Sequence, residues 1–231
     1  MAEPAPGYAV TATRSYGRER LVDVPYLPPA PAKAGDYETA IRNGYGDLSD
    51  AVLKRYPATT IDESMLATTR DAMYGWTSER LVRMQSAIGQ AAFLYFFDHG
   101  YPAADDMGLH AFHASELPYV FGNVARTPEF WPKLPDSKME RNLSEAMMGY
   151  WVSFARDGKP DAAGWPAWRP YAPGKAYMRF ADAPQGAADL LPGMYELHEE
   201  VMCRRRAADI PWHWNVGVIA PPMPLQAEGC R

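Results

Sequence analysis

The chain has 231 residues, room for one large domain or two small ones, and 47% apolar with 22% charged residues excludes disorder throughout. A formal net charge of −5 argues against nucleic acid as the main partner, because phosphate binding wants a basic face. The longest apolar run, residues 91–97, is too short for a membrane span, residues 1–7 show no secretory leader, and two cysteines cannot build a disulfide scaffold or a Cys-based zinc site.

Residues 1–35 read as an irregular segment, because Pro25, Pro28, Pro29 and Pro31 forbid a helix there. Asp36 is a good N-cap for the first helix. Tyr37, Ala40 and Ile41, then Leu48, Val52 and Leu53, have helical spacing. Gly44 and Gly46 divide this stretch into two short helices ending at Tyr56-Pro57. Residues 62–88 are helical again, with Gly75 expected to interrupt them. Residues 91–97 show no alternation and are bounded by turn residues, as expected of a strand buried on both faces. The strand runs into Asp98-His99-Gly100-Tyr101-Pro102, a loop at its C-terminal end, where open α/β sheets build their sites.

Residues 139–155 are the clearest helix. Leu143, Met147, Tyr150, Trp151 and Phe154 form its apolar stripe, and Gly158 closes it. Residues 176–180 read as a second short strand. Residues 194–206 form an amphipathic helix through Leu197 and Val201. Its acids come early (Glu196, Glu199, Glu200) and its bases late, so Arg204, Arg205 and Arg206 read as a solvated helix end. The tail from Pro211, rich in Trp and Pro, is expected to lie over the surface. Two or three strands are too few for a complete doubly wound sheet. The fold class is therefore α/β, with residues 36–231 as part of a larger α/β domain.

The densest chemistry lies in residues 108–122, where His110, His113 and Glu116 stand three apart. A zinc site would want His and carboxylate ligands, but no His-Glu-x-x-His helix is present, and loop histidines with local hydrogen bonds are the plainer reading. Cys203 and Cys230 either pair in an oxidising compartment or stay as two thiols. Trp76 and Tyr74 either line a pocket or pack in the core.

The segment His113-Ala-Ser-Glu116-Leu-Pro-Tyr-Val-Phe-Gly122 resembles the catalytic-histidine segment of the type B carboxylesterases, the family of cholinesterases and bacterial para-nitrobenzyl esterases. Phe93-Leu-Tyr-Phe-Phe-Asp98 is similar to the strand before that histidine, and residues 143–160 are similar to the helix after it. Trp165-Pro-Ala-Trp168 and Tyr177-Met-Arg-Phe180 match later landmarks in the right order, so the likeness covers residues 36–182.

The resemblance implies an α/β-hydrolase fold and carboxylic-ester hydrolysis by a Ser-Glu/Asp-His triad, with no metal or organic cofactor. By match, His113 is the general base and then the general acid. Glu116 matches a glutamate that supports the site by hydrogen bonding behind the triad, and His110 is structural. The triad acid should precede the histidine, because the chain order is Ser, acid, His. Glu19, between Arg18 and Arg20, is the candidate, with a solvated surface charge as its other reading; Asp23 and Glu38 are weaker candidates. The nucleophile has no match, since none of the nine serines stands in Gly-x-Ser-x-Gly. The chain thus reads as the C-terminal portion of a carboxylesterase that acts on a small carboxylic ester and needs an N-terminal half for its serine and oxyanion hole. The alternatives are a non-catalytic, cholinesterase-like interaction module and an inactive truncated fragment.

Overall fold

The structure, a computed structural model, describes residues 31–210 and 216–230. Glu19, Asp23, most of the expected irregular N-terminal segment and the first residues of the tail lie outside them. The chain divides into two compact units. Of the described residues, one takes in 81–190, and the other takes in 31–80 together with 191–210 and 216–230.

In the second unit, α1 (Ala34–Tyr45) packs Tyr37, Ile41 and Tyr45 inward, four residues apart on one helical face. It begins ahead of Asp36, which sits in its first turn instead of capping it. A 3₁₀ turn (Gly46–Leu48) leads into α2 (Ser49–Arg55), which adds Val52, and Tyr56 follows it into the same core. Helix α3 (Ile61–Arg70) then runs through a π-turn (Asp71–Gly75) into α4 (Trp76–Ala87). Gly75 therefore marks a bulge in continuous helix. Its missing side chain admits Met194, whose methyl carbon lies 3.1 Å from where a Cβ would stand.

Trp76 is core, donating its indole N–H to Glu199 at 2.7 Å, and Tyr74 is half-buried in the π-turn. Helix α8 (Met194–Ala207) joins this unit. Its basic end corrects the sequence reading: Arg204 and Arg205 are buried, and only Arg206 is exposed. Arg204 donates to Glu200 at 2.6 Å and to Asp47 at 2.7 Å, and Arg205 lies 5.3 Å over the Tyr45 ring. The two carboxylates offset the burial of Arg204, and the Tyr45 ring face meets the Arg205 guanidinium. Cys203 and Cys230 form a disulfide.

In the first unit, β1 (Leu94–Phe97) pairs in parallel with β2 (Ala176–Phe180), register Leu94 to Tyr177 through Phe97 to Phe180. Strand β2 turns back into β3 (Pro184–Ala188), antiparallel, so the described sheet has the order β1-β2-β3. Strand β1 is buried nearly throughout, as its unbroken apolar run predicts, but it is shorter than residues 91–97. The Ala92 carbonyl instead accepts the Tyr171 N–H at 2.8 Å. The long crossover to β2 carries α5 (Pro102–Asp105), α6 (Leu117–Val120) and α7 (Lys138–Asp157). Ser137 caps α7 by accepting the Glu140 N–H at 3.2 Å, and Gly158, left-handed at φ 70°, ends it. Leu143, Met147 and Tyr150 of α7 are buried against the sheet's aromatic side, where Tyr95, Trp151, Trp168 and Phe180 meet edge to face. Phe154 is the exception in the expected stripe, about half exposed, with one edge on Phe93.

Candidate active site

The segment singled out by sequence follows β1. At its exit, Asp98 extends the ladder by donating its N–H to the Phe180 carbonyl at 2.7 Å, and its side chain accepts the Arg179 guanidinium. At Gly100 any side chain would collide with the Asp105 carboxylate, 2.2 Å from where its Cβ would stand. That clearance lets Asp105, the last residue of α5, stand 2.8 Å from Nδ1 of His110. His110 has φ 48°, so a side-chain bond holds a left-handed residue in place.

His113 sits in the next turn. The Ser115 N–H bonds back to the Phe112 carbonyl at 3.0 Å, making His113 and Ala114 the two central residues. Ala114 carries φ 69°, the positive φ that a type II turn demands at its third position. The flanks are anchored: Phe112 is fully buried, edge-on to Trp131 at 4.8 Å, and Ser115 is buried too. Between them His113 is exposed. A turn with buried ends thus presents one imidazole outward. Glu116, half-buried, lies at the N-terminal flank of α6, after which the chain closes at Gly122. Gly122 has φ 66°, and its Cβ position lies 2.7 Å from the Met148 sulfur of α7.

Behind the turn is a polar cluster that sequence reasoning missed. Glu140 of α7 is fully buried. Its Oε2 accepts the Tyr119 hydroxyl at 2.6 Å and faces Nε2 of buried His99 at 2.9 Å. The other His99 nitrogen, Nδ1, meets Asp182 in the β2–β3 turn at 3.2 Å. Burial, reinforced by the Glu140 carboxylate, pushes the Tyr119 hydroxyl well above the usual tyrosine range, so it stays a donor. Two signals were present in the sequence: His99 stands at the C-terminal end of the buried strand, and Ser137-Lys-Met-Glu140 is a capping-box pattern whose glutamate turns inward instead.

Of the expected site residues, the structure brings His110, His113 and Glu116 into one turn-and-helix segment. Glu38 is an exposed residue of α1, in the other unit. Glu19 and Asp23 lie outside the described residues. Among the described residues, no three His, Cys, Asp or Glu side chains form a group able to hold a metal ion.

The model of the carboxylesterase family matches residues 22–195, and the chain belongs to that family. Among curated relatives, carboxylesterase 1D of Rattus norvegicus is 31% identical over 150 residues, covering 63% of this chain and 25% of the relative. Acylcarnitine hydrolase of Mus musculus is 32% identical over 130 residues, 53% of this chain and 22% of that protein. The chain therefore spans about a quarter of the length of the curated relatives it matches. Among solved structures, a carboxylesterase of Geobacillus stearothermophilus is 26% identical, with a TM-score of 0.42 over 78% of this chain and 35% of its own. An esterase from Clostridium hathewayi, described as hydrolysing aliphatic aromatic polyesters, is 21% identical with a TM-score of 0.46, over 72% and 30%.

Proposed function

We propose that this chain supplies the histidine half of a carboxylic-ester hydrolase, with His113 as general base and then general acid. In the first step His113 takes the proton from a serine hydroxyl as the oxygen attacks the ester carbonyl. It returns that proton to the departing alcohol, and the same imidazole then activates water against the acyl-serine. Glu116 supports the imidazole from behind the triad. The triad acid comes from upstream, with Glu19 as the candidate. The serine and the oxyanion donors come from a segment that this chain must be joined by, because none of its nine serines stands in Gly-x-Ser-x-Gly.

The observation that carries this reading is the turn at residues 112–115. Two buried anchors and a positive φ at Ala114 hold an exposed histidine, inside the stretch matched by the family model. A histidine kept only for packing would have its ring, not its neighbours, in the core. The missing serine favours a second reading, a non-catalytic interaction module of the same family.

The two readings part in one experiment. Hydrolysis of a short p-nitrophenyl ester is followed with this chain alone and with the chain co-expressed with a Gly-x-Ser-x-Gly-bearing N-terminal portion of a family esterase. The catalytic reading expects no acylation burst from the chain alone and turnover from the pair. His113→Ala in the pair should lower kcat by roughly 10⁴-fold or more. Circular dichroism of His113→Ala checks that the loss is one of catalysis and not of folding. A burst from the chain alone, or undiminished turnover with His113→Ala, would overturn the assignment. A pair that assembles but never turns over would favour the interaction module.

A further inference from the structure

We infer that Glu140 and Tyr119 are positioning residues for His113: α7 grips the segment that presents the imidazole and sets where it stands. The inference rests on the reading of His113 given above.

Tyr119 is held at both ends by one helix. Its hydroxyl donates to Glu140 Oε2 at 2.6 Å, and its carbonyl accepts the Ser144 hydroxyl at 2.9 Å, one turn further along α7. Two bonds to residues four apart fix both the depth and the rotation of α6 against α7. The path from Tyr119 back to His113 is unbroken turn geometry. The Tyr119 N–H bonds to the Glu116 carbonyl, Leu117 N–H to Ala114, and Ser115 N–H to Phe112, each at 3.0 Å. Each link closes over three residues, so a displacement of Tyr119 passes to the turn without slack. The ring of Tyr119 is further boxed by Phe97 at 5.6 Å and His99 at 5.5 Å, both at the exit of β1. Strand end, helix and histidine-bearing turn therefore share one polar pin.

The composition of the pin argues for position over stability. Glu140 is fully buried, and its second oxygen, Oε1, has no hydrogen-bond partner among the described residues. A buried carboxylate with an unsatisfied oxygen costs free energy, and an apolar side chain of similar size would avoid that cost. What a carboxylate offers here is a short charge-assisted bond of narrow geometry. Fixing a general base within a fraction of an ångström is where such geometry matters, since a misplacement of about 1 Å can cost on the order of a hundredfold in rate.

The test uses the full chain with isotope-labelled histidine and reads the ring resonances of His113, assigned by their loss in His113→Ala. Tyr119→Phe removes one hydroxyl and nothing else, and Glu140→Gln removes the charge. Tyr150→Phe is the control: it removes another buried hydroxyl, bonded to the Pro166 carbonyl at 2.5 Å, in the same core. The expected result is a shifted or doubled set of His113 ring signals in Tyr119→Phe and Glu140→Gln, with the wild-type set kept in Tyr150→Phe. In the co-expressed pair, Tyr119→Phe should then lower kcat by up to about a hundredfold at unchanged KM. His113 signals that ignore both variants, or that respond equally to the control, would overturn the inference. So would a loss of folding, by circular dichroism, in Tyr119→Phe where Tyr150→Phe folds, because the pin would then be structural. The ring signals do not depend on catalysis, so their outcome is separate from the fate of the His113 assignment itself.

Discussion

His198 shows how far surroundings can move one side chain. It is buried in α8 with Nε2 at 2.8 Å from the Tyr56 hydroxyl, which donates its own proton to Asp71 at 2.8 Å. The neutral imidazole with its proton on Nε2 completes that chain of donors. Burial lowers its pKa from 6.5 to about 4; Arg55, Arg205 and Arg70 push the same way, and Asp71 opposes them. The folded state therefore resists a proton that the unfolded chain accepts. Stability from this site is complete above pH 6.5 and is lost as pH falls from there through about 4. The loss is about 3 kcal/mol. Urea unfolding at pH 7 and pH 4 measures it, with His198→Gln as the reference, in which this portion of the pH dependence should vanish. An equally steep slope in the variant would assign the acid sensitivity elsewhere. Nothing in the spacing of His198 marks it, whereas His113 is legible from its own motif. The proposed base stands in a motif carried by its chain neighbours; a buried network is assembled from positions far apart in the chain.

Elements divide along the same line. The helices carried by their apolar period, α1, α7 and α8, are where the sequence reading puts them, because burial of one face is a local pattern. Strand β3 has no local signal: Pro-Gln-Gly-Ala-Ala has little strand propensity and forms as the edge partner of β2, a position that tolerates Pro at its start. The dipole argument places the late bases of α8 in water and is blind to Asp47, 157 residues away.

The disulfide belongs to this scale. It links α8 to the tail across 27 residues, and beyond a 3₁₀ turn (Gly217–Ile219) the described tail has little regular structure of its own. A loop of that length constrains the unfolded chain by about 2–4 kcal/mol. Reduction, or Cys230→Ser, should lower the urea midpoint accordingly. An unchanged midpoint would mean that contacts such as the Gly217 N–H to Tyr45 hydroxyl bond, 2.8 Å, hold the tail unaided.

For the molecule as a whole, Leu81 and Met84 of α4 and Ile88 just beyond it are more than half exposed, at helical spacing. Apolar groups lined up in this way favour association. The chain by itself should elute from gel filtration above its monomer size at rising concentration. Replacing all three by Gln should return it toward monomer. Monomeric wild-type chain across the range would show that the stripe is innocuous.

Legible in the sequence alone are the family, the α/β class, the main helices and the buried β1. Each rests on residues close together in the chain, where periodicity, turn chemistry and motif order act. The tertiary structure alone decided the Glu140–Tyr119–His99 pin, the burial of Arg204 and Arg205, the Cys203–Cys230 pairing and the strand β3. These depend on which distant groups meet away from water, where an unpaired polar atom is costly and its partner is chosen by the fold.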